Sequence, residues 1–255
     1  MNDKIKVKVS SFVANILEID ALRFGFTKNG KSNKNGLLNK LIPTLVEVRK
    51  ERRSQIENIL KTEYNRADSE NIYSAVNTVI DRVYFNDENL GELEESIWIR
   101  PSKENISVFD EIETSEIMLT AQELSVYIRG LLNEYCMLPL YKRETLVFDG
   151  ELDVFSNACC THRILYFRSR SANERHKVFA FDYFYGYWTN SGNYCIFYDL
   201  GEHKIMATPL YDMQDVYLIK QKFKPSERLI ERLQAYCDEC DFEAVVSMEG
   251  ERDVL

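Results

Sequence analysis

The side chains best suited to chemistry in this 255-residue chain are cations set among aromatic rings. Lys4, Lys6 and Lys8 alternate with Ile5, Val7 and Val9, the period of a β-strand with one apolar and one cationic face. Lys28, Lys31 and Lys34 follow, and lysines near a helix start suit phosphate. The plainer alternative is a solvated strand edge that discourages aggregation. A second basic run, THRILYFRSRSANERHK at 161–177, holds five Lys+Arg, two His and one Glu. Alternation there puts Arg163, Leu165 and Phe167 on one face, with Ile164, Tyr166 and Arg168 on the other. Tyr166, Phe167, Tyr194 and Tyr198 would supply stacking platforms beside guanidinium groups, a combination that binds single strands without reading sequence. A hairpin with an exposed charged tip is the competing reading. The aromatic run FDYFYGYW at 181–188 reads mainly as core or interface.

The candidate nucleic-acid-binding residues are therefore Lys4, Lys6, Lys8, Arg163, Arg168, Arg170, Arg175, Lys177 and Tyr194. The sequence contains no P-loop, G-x-S-x-G, H-E-x-x-H or paired-carboxylate pattern, so no catalytic residue is assigned and an enzyme is not expected. Six cysteines read as reduced thiols. Cys237 and Cys240 form a lone C-x-x-C with no second pair to complete four zinc ligands, so neither metal nor cofactor is expected.

The net charge of −9 conceals two basic blocks. Residues 1–53 carry 12 Lys+Arg against 5 Asp+Glu, and 161–224 carry 9 against 6. The stretch between them, 54–160, carries 8 against 21, and the end from 225 carries 3 against 9. Such asymmetry points to charged partners more than the total does. The start MNDKIKVKVSSF lacks the apolar core of a secretion signal. No apolar run approaches the roughly 18 residues that span a bilayer. A cytoplasmic protein with no membrane partner is expected.

These residues need elements to position them. After the strand at 4–9, Val13, Ile16 and Leu17 take helical spacing from Ser10-Ser11 to near Gly25. TKNGKSNKNG at 27–36 reads as a polar loop. A second helix aligns Leu38, Leu41, Leu45 and Val48, with Pro43 placed to kink or break it. Ile72, Val76, Val79 and Val83 predict an amphipathic helix over 68–85, ahead of an acidic turn at 87–96. The opening pattern then returns. Ile97 and Ile99 alternate with Ser96, Trp98 and Arg100, and Ile106, Phe109 and Ile112 suit a short helix. Thr120 and Glu123 form a capping box for a helix carrying Leu124, Ile128, Leu131 and Tyr135. Strand, helix, linker and helix thus occur twice, at 4–50 and 96–137, which predicts that the two strands pair as an antiparallel ribbon.

After Pro139 a short helix near 150–160 leads into five strand-like segments separated by turn signals, the pattern of a small antiparallel barrel or sandwich. A helix over 226–240 follows, and its Leu229, Leu233 and Tyr236 share one face. That apolar stripe predicts a homodimer built through the C-terminal half.

NYCIFYDL places Tyr194-Cys195-Ile196 where the WYL family carries its Trp-Tyr-Leu triplet. TPLYDMQDVYLIKQKF matches that family's later F-R-L-D-R-I segment, with Asp212 at the Asp and Phe223 at the closing Phe. Over about 150–224 the chain therefore resembles a WYL domain. It departs at Leu210 and Met213, which replace two family arginines, and at Tyr194, which replaces the Trp; the family's ligand pocket is altered accordingly. The N-terminal half resembles ribbon-helix-helix proteins, whose strands lie in the DNA major groove. The whole layout, with LLNEYCMLPLYKRETLVF (131–148) leading into the WYL-like region, is similar to the WYL accessory proteins of type VI-D CRISPR systems. Those bind single-stranded RNA and stimulate an RNA-guided RNA nuclease.

These resemblances imply an α+β chain: a ribbon-helix-helix-like helical domain at 1–145, a WYL domain forming a small antiparallel SH3-like β-barrel at 146–224, and a C-terminal helix and tail at 225–255. They imply RNA or DNA as ligand and a CRISPR effector nuclease as protein partner. Two other classes stay open: a ligand-responsive DNA-binding transcriptional regulator, and an enzyme of unrecognised type.

Overall fold

A computed structural model describes residues 4–63, 91–114, 124–184 and 192–239. The chain divides into two compact units, Met1–Leu138 and Pro139–Leu255. The first unit runs through β1 (Ile5–Val9), α1 (Ser11–Arg23), β2 (Thr27–Lys28), β3 (Lys31–Ser32), α2 (Lys34–Glu63), β4 (Glu95–Ile99), α3 (Ile106–Thr114) and α4 (Leu124–Cys136).

β1 and β4 pair antiparallel, with Ile5 opposite Ile99, Lys6 opposite Trp98 and Lys8 opposite Ser96. Two segments about ninety residues apart therefore meet in one ribbon. Alternation then sorts their side chains: Val7, Val9, Ile97 and Ile99 are buried, while Lys6, Lys8, Ser96 and Trp98 stay exposed. Helices α1, α2 and α4 pack under the ribbon and against one another. Their buried side chains include Val13, Leu17, Leu41, Leu45, Ile128 and Leu131. Inside this core the Tyr135 hydroxyl donates to Asp20 Oδ2 at 2.7 Å, joining α4 to α1.

Local chemistry sets the ends of these elements. Ser10 caps α1, its Oγ accepting from Val13 N at 3.4 Å. The 27–36 stretch, expected as a loop, contains the small β2–β3 hairpin, because Asn29 and Gly30 both take positive φ (54° and 73°) as a type I′ turn requires. Pro43 does not end the second helix: α2 runs through it, held by buried Leu41, Ile42, Leu45 and Val46 on either side. Packing here outweighs one missing backbone bond. The 68–85 amphipathic segment and the Thr120–Glu123 box lie outside the described residues.

The second unit comprises α5 (Leu140–Val147), α6 (Asp149–Thr161), β5 (Arg163–Ser169), β6 (Arg175–Phe184), β7 (Tyr194–Asp199), β8 (Lys204–Pro209), a 3₁₀ turn (Leu210–Asp212), β9 (Met213–Lys222) and α7 (Glu227–Glu239). Its antiparallel sheet has the order β8-β7-β6-β5-β9, a four-stranded meander whose fifth strand returns beside the first. Among the described residues the sheet is not closed into the expected SH3-like barrel: β8 and β9 are its two edges. Register shifts in the β5–β9 and β6–β7 ladders bend it without joining those edges.

Helices cover what closure would have buried. Alternation assigns Leu165, Phe167, Val178 and Phe197 to one face of the sheet, and α6 packs on β5, β6 and β9 with Leu152, Phe155 and Ala158 buried. The other face carries Phe179, Tyr194 and Ile196, on which Leu229 and Leu233 of α7 sit, flanked by Tyr236. The stripe behind the homodimer expectation thus packs on the chain's own sheet. Buried Glu144 of α5 accepts from the backbone N–H of Asn193 and, at 3.1 Å, of Tyr211, pinning the start of β7 and the 3₁₀ turn. A Cβ at Gly192 would lie 2.5 Å from Glu144 Oε2, so a larger residue there would displace this carboxylate.

Leu233 is fully buried between α7 and the sheet. Leu233→Ala is expected to cost about 2–5 kcal/mol, read as a lower urea midpoint by circular dichroism. An unchanged midpoint would show that α7 does not hold the sheet.

Candidate nucleic-acid interface

Each unit presents one cationic surface containing an exposed aromatic ring. On the first, the outward face of the ribbon carries Lys6 and Lys8 from β1 and Ser96 and Trp98 from β4, with exposed Lys4 and Arg100 just beyond the strand ends. Trp98 is 56% exposed, and Lys6 Nζ lies 5.5 Å from its ring centroid. Such an exposed cation–π contact contributes about 0.5–1 kcal/mol. Arg100 is fixed through its backbone: its N–H donates to Asn35 Oδ1 at 2.7 Å and its carbonyl accepts from Asn39 Nδ2 at 2.9 Å. Asn39 Oδ1 also accepts from Ser102 N at 2.6 Å. Two asparagines one turn apart on α2 therefore aim the end of the ribbon.

On the second unit the outer sheet face beside α7 carries two cross-strand rows. The first is Tyr217, Tyr166 and Lys177 on β9, β5 and β6. Tyr166 and Tyr217 stack at 5.5 Å with 6° between their planes, and Lys177 Nζ lies 5.8 Å from the Tyr166 ring. Tyr217 is 54% exposed. The second row is Gln214, Arg168 and Arg175. Arg168 donates to Gln214 Oε1 at 3.2 Å and Asn173 Oδ1 at 3.4 Å, and pairs with Asp215 at 3.0 Å. Asp215 is exposed, so that pair contributes only about 0–1 kcal/mol and yields readily to a phosphate.

The remaining candidates lie elsewhere. Arg163 Nε donates to the Ile219 carbonyl at 2.9 Å, tying β5 to β9. Arg170 lies over the Phe148 ring at 5.9 Å, and burial lowers its guanidinium from the usual value, opposed by Asp212 and Glu151. Both contacts brace the sheet, and neither residue lies in the two rows described above. Tyr194, expected as a stacking platform, is 3% exposed and belongs to the core under α7. That placement corrects the sequence reading: a ring covered by Leu229 and Leu233 has no face left for a base.

Two buried carboxylates shape the rims of this sheet. Asp212 accepts from Ser169 Oγ and Ser171 N, both at 2.7 Å, and so fixes the turn that leads to Arg175. Asp199 Oδ2 meets His176 Nδ1 at 2.8 Å, while its Oδ1 accepts from Gly201 N and Glu202 N at 2.7 and 2.9 Å. Burial raises the Asp199 carboxyl, but the Glu202, His176 and Gly201 hydrogen bonds outweigh it and hold the group below its ordinary value. Burial also pushes the Cys159 thiol up to about 12 and raises Cys195 strongly, so neither is a thiolate at neutral pH. Among the described residues no group of His, Cys, Asp and Glu gathers to hold a metal ion, and no helix is long and apolar enough to cross a membrane.

Trp98 and Tyr217 are missing from the sequence-derived candidates. Both had a readable signal, a ring at the polar phase between apolar neighbours: Ile97 and Ile99 for Trp98, Val216 and Leu218 for Tyr217.

No protein-family model matches this sequence, and no curated protein does. The fold is similar to that of a solved structure described as a CRISPR Cas-related protein, with a TM-score of 0.66 over 94% of this chain and 72% of that one. The two sequences are 12% identical, so the likeness is one of fold.

Tyr194→Ala is expected to destabilise the second unit by about 3–5 kcal/mol, as large aromatic truncations in cores do, measured by chemical denaturation. A variant of native stability would return Tyr194 to the surface. The Asp199 carboxyl has a lowered folded pKa, so its contribution is present above the unfolded value of about 3.9 and is lost as pH falls through the folded one. The stability gap between the native protein and Asp199→Asn should therefore narrow below about pH 4, followed by urea midpoints from pH 7 downward. A gap independent of pH would contradict the pairing.

Proposed function

We propose that this protein binds single-stranded RNA through the outer sheet face of its second unit and serves as an accessory or regulator of a CRISPR RNA-guided nuclease. One observation carries the binding: the Tyr217–Tyr166–Lys177 row beside Arg168 and Arg175. Bases stacked on exposed rings contribute about 1–3 kcal/mol each, and flanking cations hold the backbone without reading sequence. The CRISPR association is supported by the similar fold of a protein so described. Its effect on the nuclease is non-enzymatic in this reading, since no catalytic constellation is assigned.

The same reading treats residues 146–224 as a WYL domain and 1–145 as an internally duplicated ribbon-helix-helix domain. The meander preceded by α6, and two strand–helix–helix passes joined by one ribbon, favour it. Leu210 and Met213, at the positions of two family arginines, are both fully buried. Apolar side chains there favour an RNA-binding accessory over a regulator that senses a charged small ligand. A DNA-binding regulator remains the second reading, favoured by the cationic ribbon, and duplex preference distinguishes it.

For single strands, log affinity should fall with log salt by about 0.7 per phosphate contact. Arg175→Ala and Lys177→Ala are each expected to flatten that slope by about one contact. Tyr217→Ala should weaken binding by about 1–3 kcal/mol with the slope unchanged. Fluorescence anisotropy with labelled RNA across a salt series measures both. Tighter binding to duplex DNA than to RNA at every salt concentration would favour the regulator, and no binding to either at low salt would remove nucleic acid from the account.

A further inference from the structure

We infer that the β1–β4 ribbon of the first unit is a second, separate binding site for single-stranded nucleic acid, with Trp98 as its stacking platform and Lys4, Lys6, Lys8 and Arg100 as its phosphate contacts. Two paired rows make up the outward surface, Lys6 with Trp98 and Lys8 with Ser96, and exposed Lys4 and Arg100 follow just beyond the strand ends. These six positions hold four cations, one indole and one hydroxyl, with Glu94 and Glu95 adjoining only the Lys8–Ser96 end, in a chain whose net charge is −9. Charge complementarity to a polyanion is concentrated here, where the core asks nothing of the side chains.

The indole decides what kind of polyanion fits. Tryptophan is ordinarily a largely buried residue, yet Trp98 is 56% exposed at the middle row of the ribbon. Lys6 lies over the ring at 5.5 Å, a cation beside the surface on which a base would stack. Outward rows are about 7 Å apart at the rise of a β-strand, so a base on Trp98 leaves its neighbouring phosphates within reach of the Lys8 row and of Lys4 and Arg100. A duplex suits this surface less well. A ribbon in the major groove reads base edges with side chains that donate and accept, whereas the centre of this one offers a bulky ring with a single N–H donor. Unstacked bases present the faces that an indole binds.

The test uses the full chain carrying Trp188→Phe, which leaves Trp98 as the sole tryptophan of two. Probes are oligouridylate and oligodeoxythymidylate of about 12 nucleotides, within the usual site size for single strands, and a duplex of matched length. Saturable quenching of Trp98 emission by both single strands, with little by the duplex, is expected. Trp98→Ala should lower single-strand affinity about tenfold at an unchanged salt slope. The Lys4, Lys6 and Lys8 triple alanine variant should flatten the slope by about 2. Emission unmoved by any single strand overturns the inference even if Trp98→Ala proves unstable, because that readout needs no truncation. Equal quenching by the duplex overturns it in favour of groove binding. Repeating the titration with Tyr217→Ala separates the two sites. Quenching that survives this change supports a distinct ribbon site. Emission unmoved while Tyr217→Ala weakens RNA binding leaves the sheet face as the binding site and removes the ribbon.

Discussion

A strand packed on one side has no freedom on the other, and both candidate surfaces follow from that constraint. Once Val7, Val9, Ile97 and Ile99 are committed to the core, Lys6, Lys8, Ser96 and Trp98 must face outward. A slip of one residue would bury two lysines and expose the valines, so the register is held by the cost of desolvating charge as much as by apolar gain. The same logic orders the sheet of the second unit. Leu165 and Val178 take one face, which leaves Tyr166 and Lys177 to share the other.

The two surfaces differ in how their cations are engaged. On the ribbon, Asn35 and Asn39 grip the backbone around Arg100 and place no carboxylate among the outward side chains. On the sheet, Arg168 already has Gln214, Asn173 and Asp215 as partners, and Arg163 holds the Ile219 carbonyl. A guanidinium held by several hydrogen bonds is better oriented, while an ammonium that touches only a ring face, as Lys6 does on Trp98, keeps more of its freedom. The sheet face is thus the more preorganised surface, and the ribbon the more strongly cationic one.

How far the sequence could be read follows from the range of each interaction. Alternation and helical spacing are local, so the ribbon, the helices and the order of strands were legible. What lay across the fold was not. The stripe Leu229–Leu233–Tyr236 was visible, but nothing local says whether it meets the chain's own sheet or a second copy. That answer also decides Tyr194, whose burial depends on a helix more than thirty residues later. The same holds for Glu144 and Asp212, surface carboxylates by type on which backbone N–H groups from distant parts of the chain converge, and for Asp199, whose distant partner is the His176 ring. Barrel closure was overestimated because turn spacing reports how many strands there are, not whether the first and last edges meet.

A net charge of −9 does not oppose either surface, because what a phosphate meets is the local potential. At physiological ionic strength charges are screened beyond about 8 Å. A five-residue strand is about 17 Å long, so the two ends of the ribbon lie in different electrostatic surroundings. Its Lys8–Ser96 end abuts Glu94 and Glu95, whereas its Lys4–Arg100 end lies away from them. Glu94 is also held in place by Ser11 Oγ at 3.2 Å. Carboxylates therefore offset part of the cationic charge at the Lys8 end of the ribbon. That local offset comes from where the acidic segment joins β4.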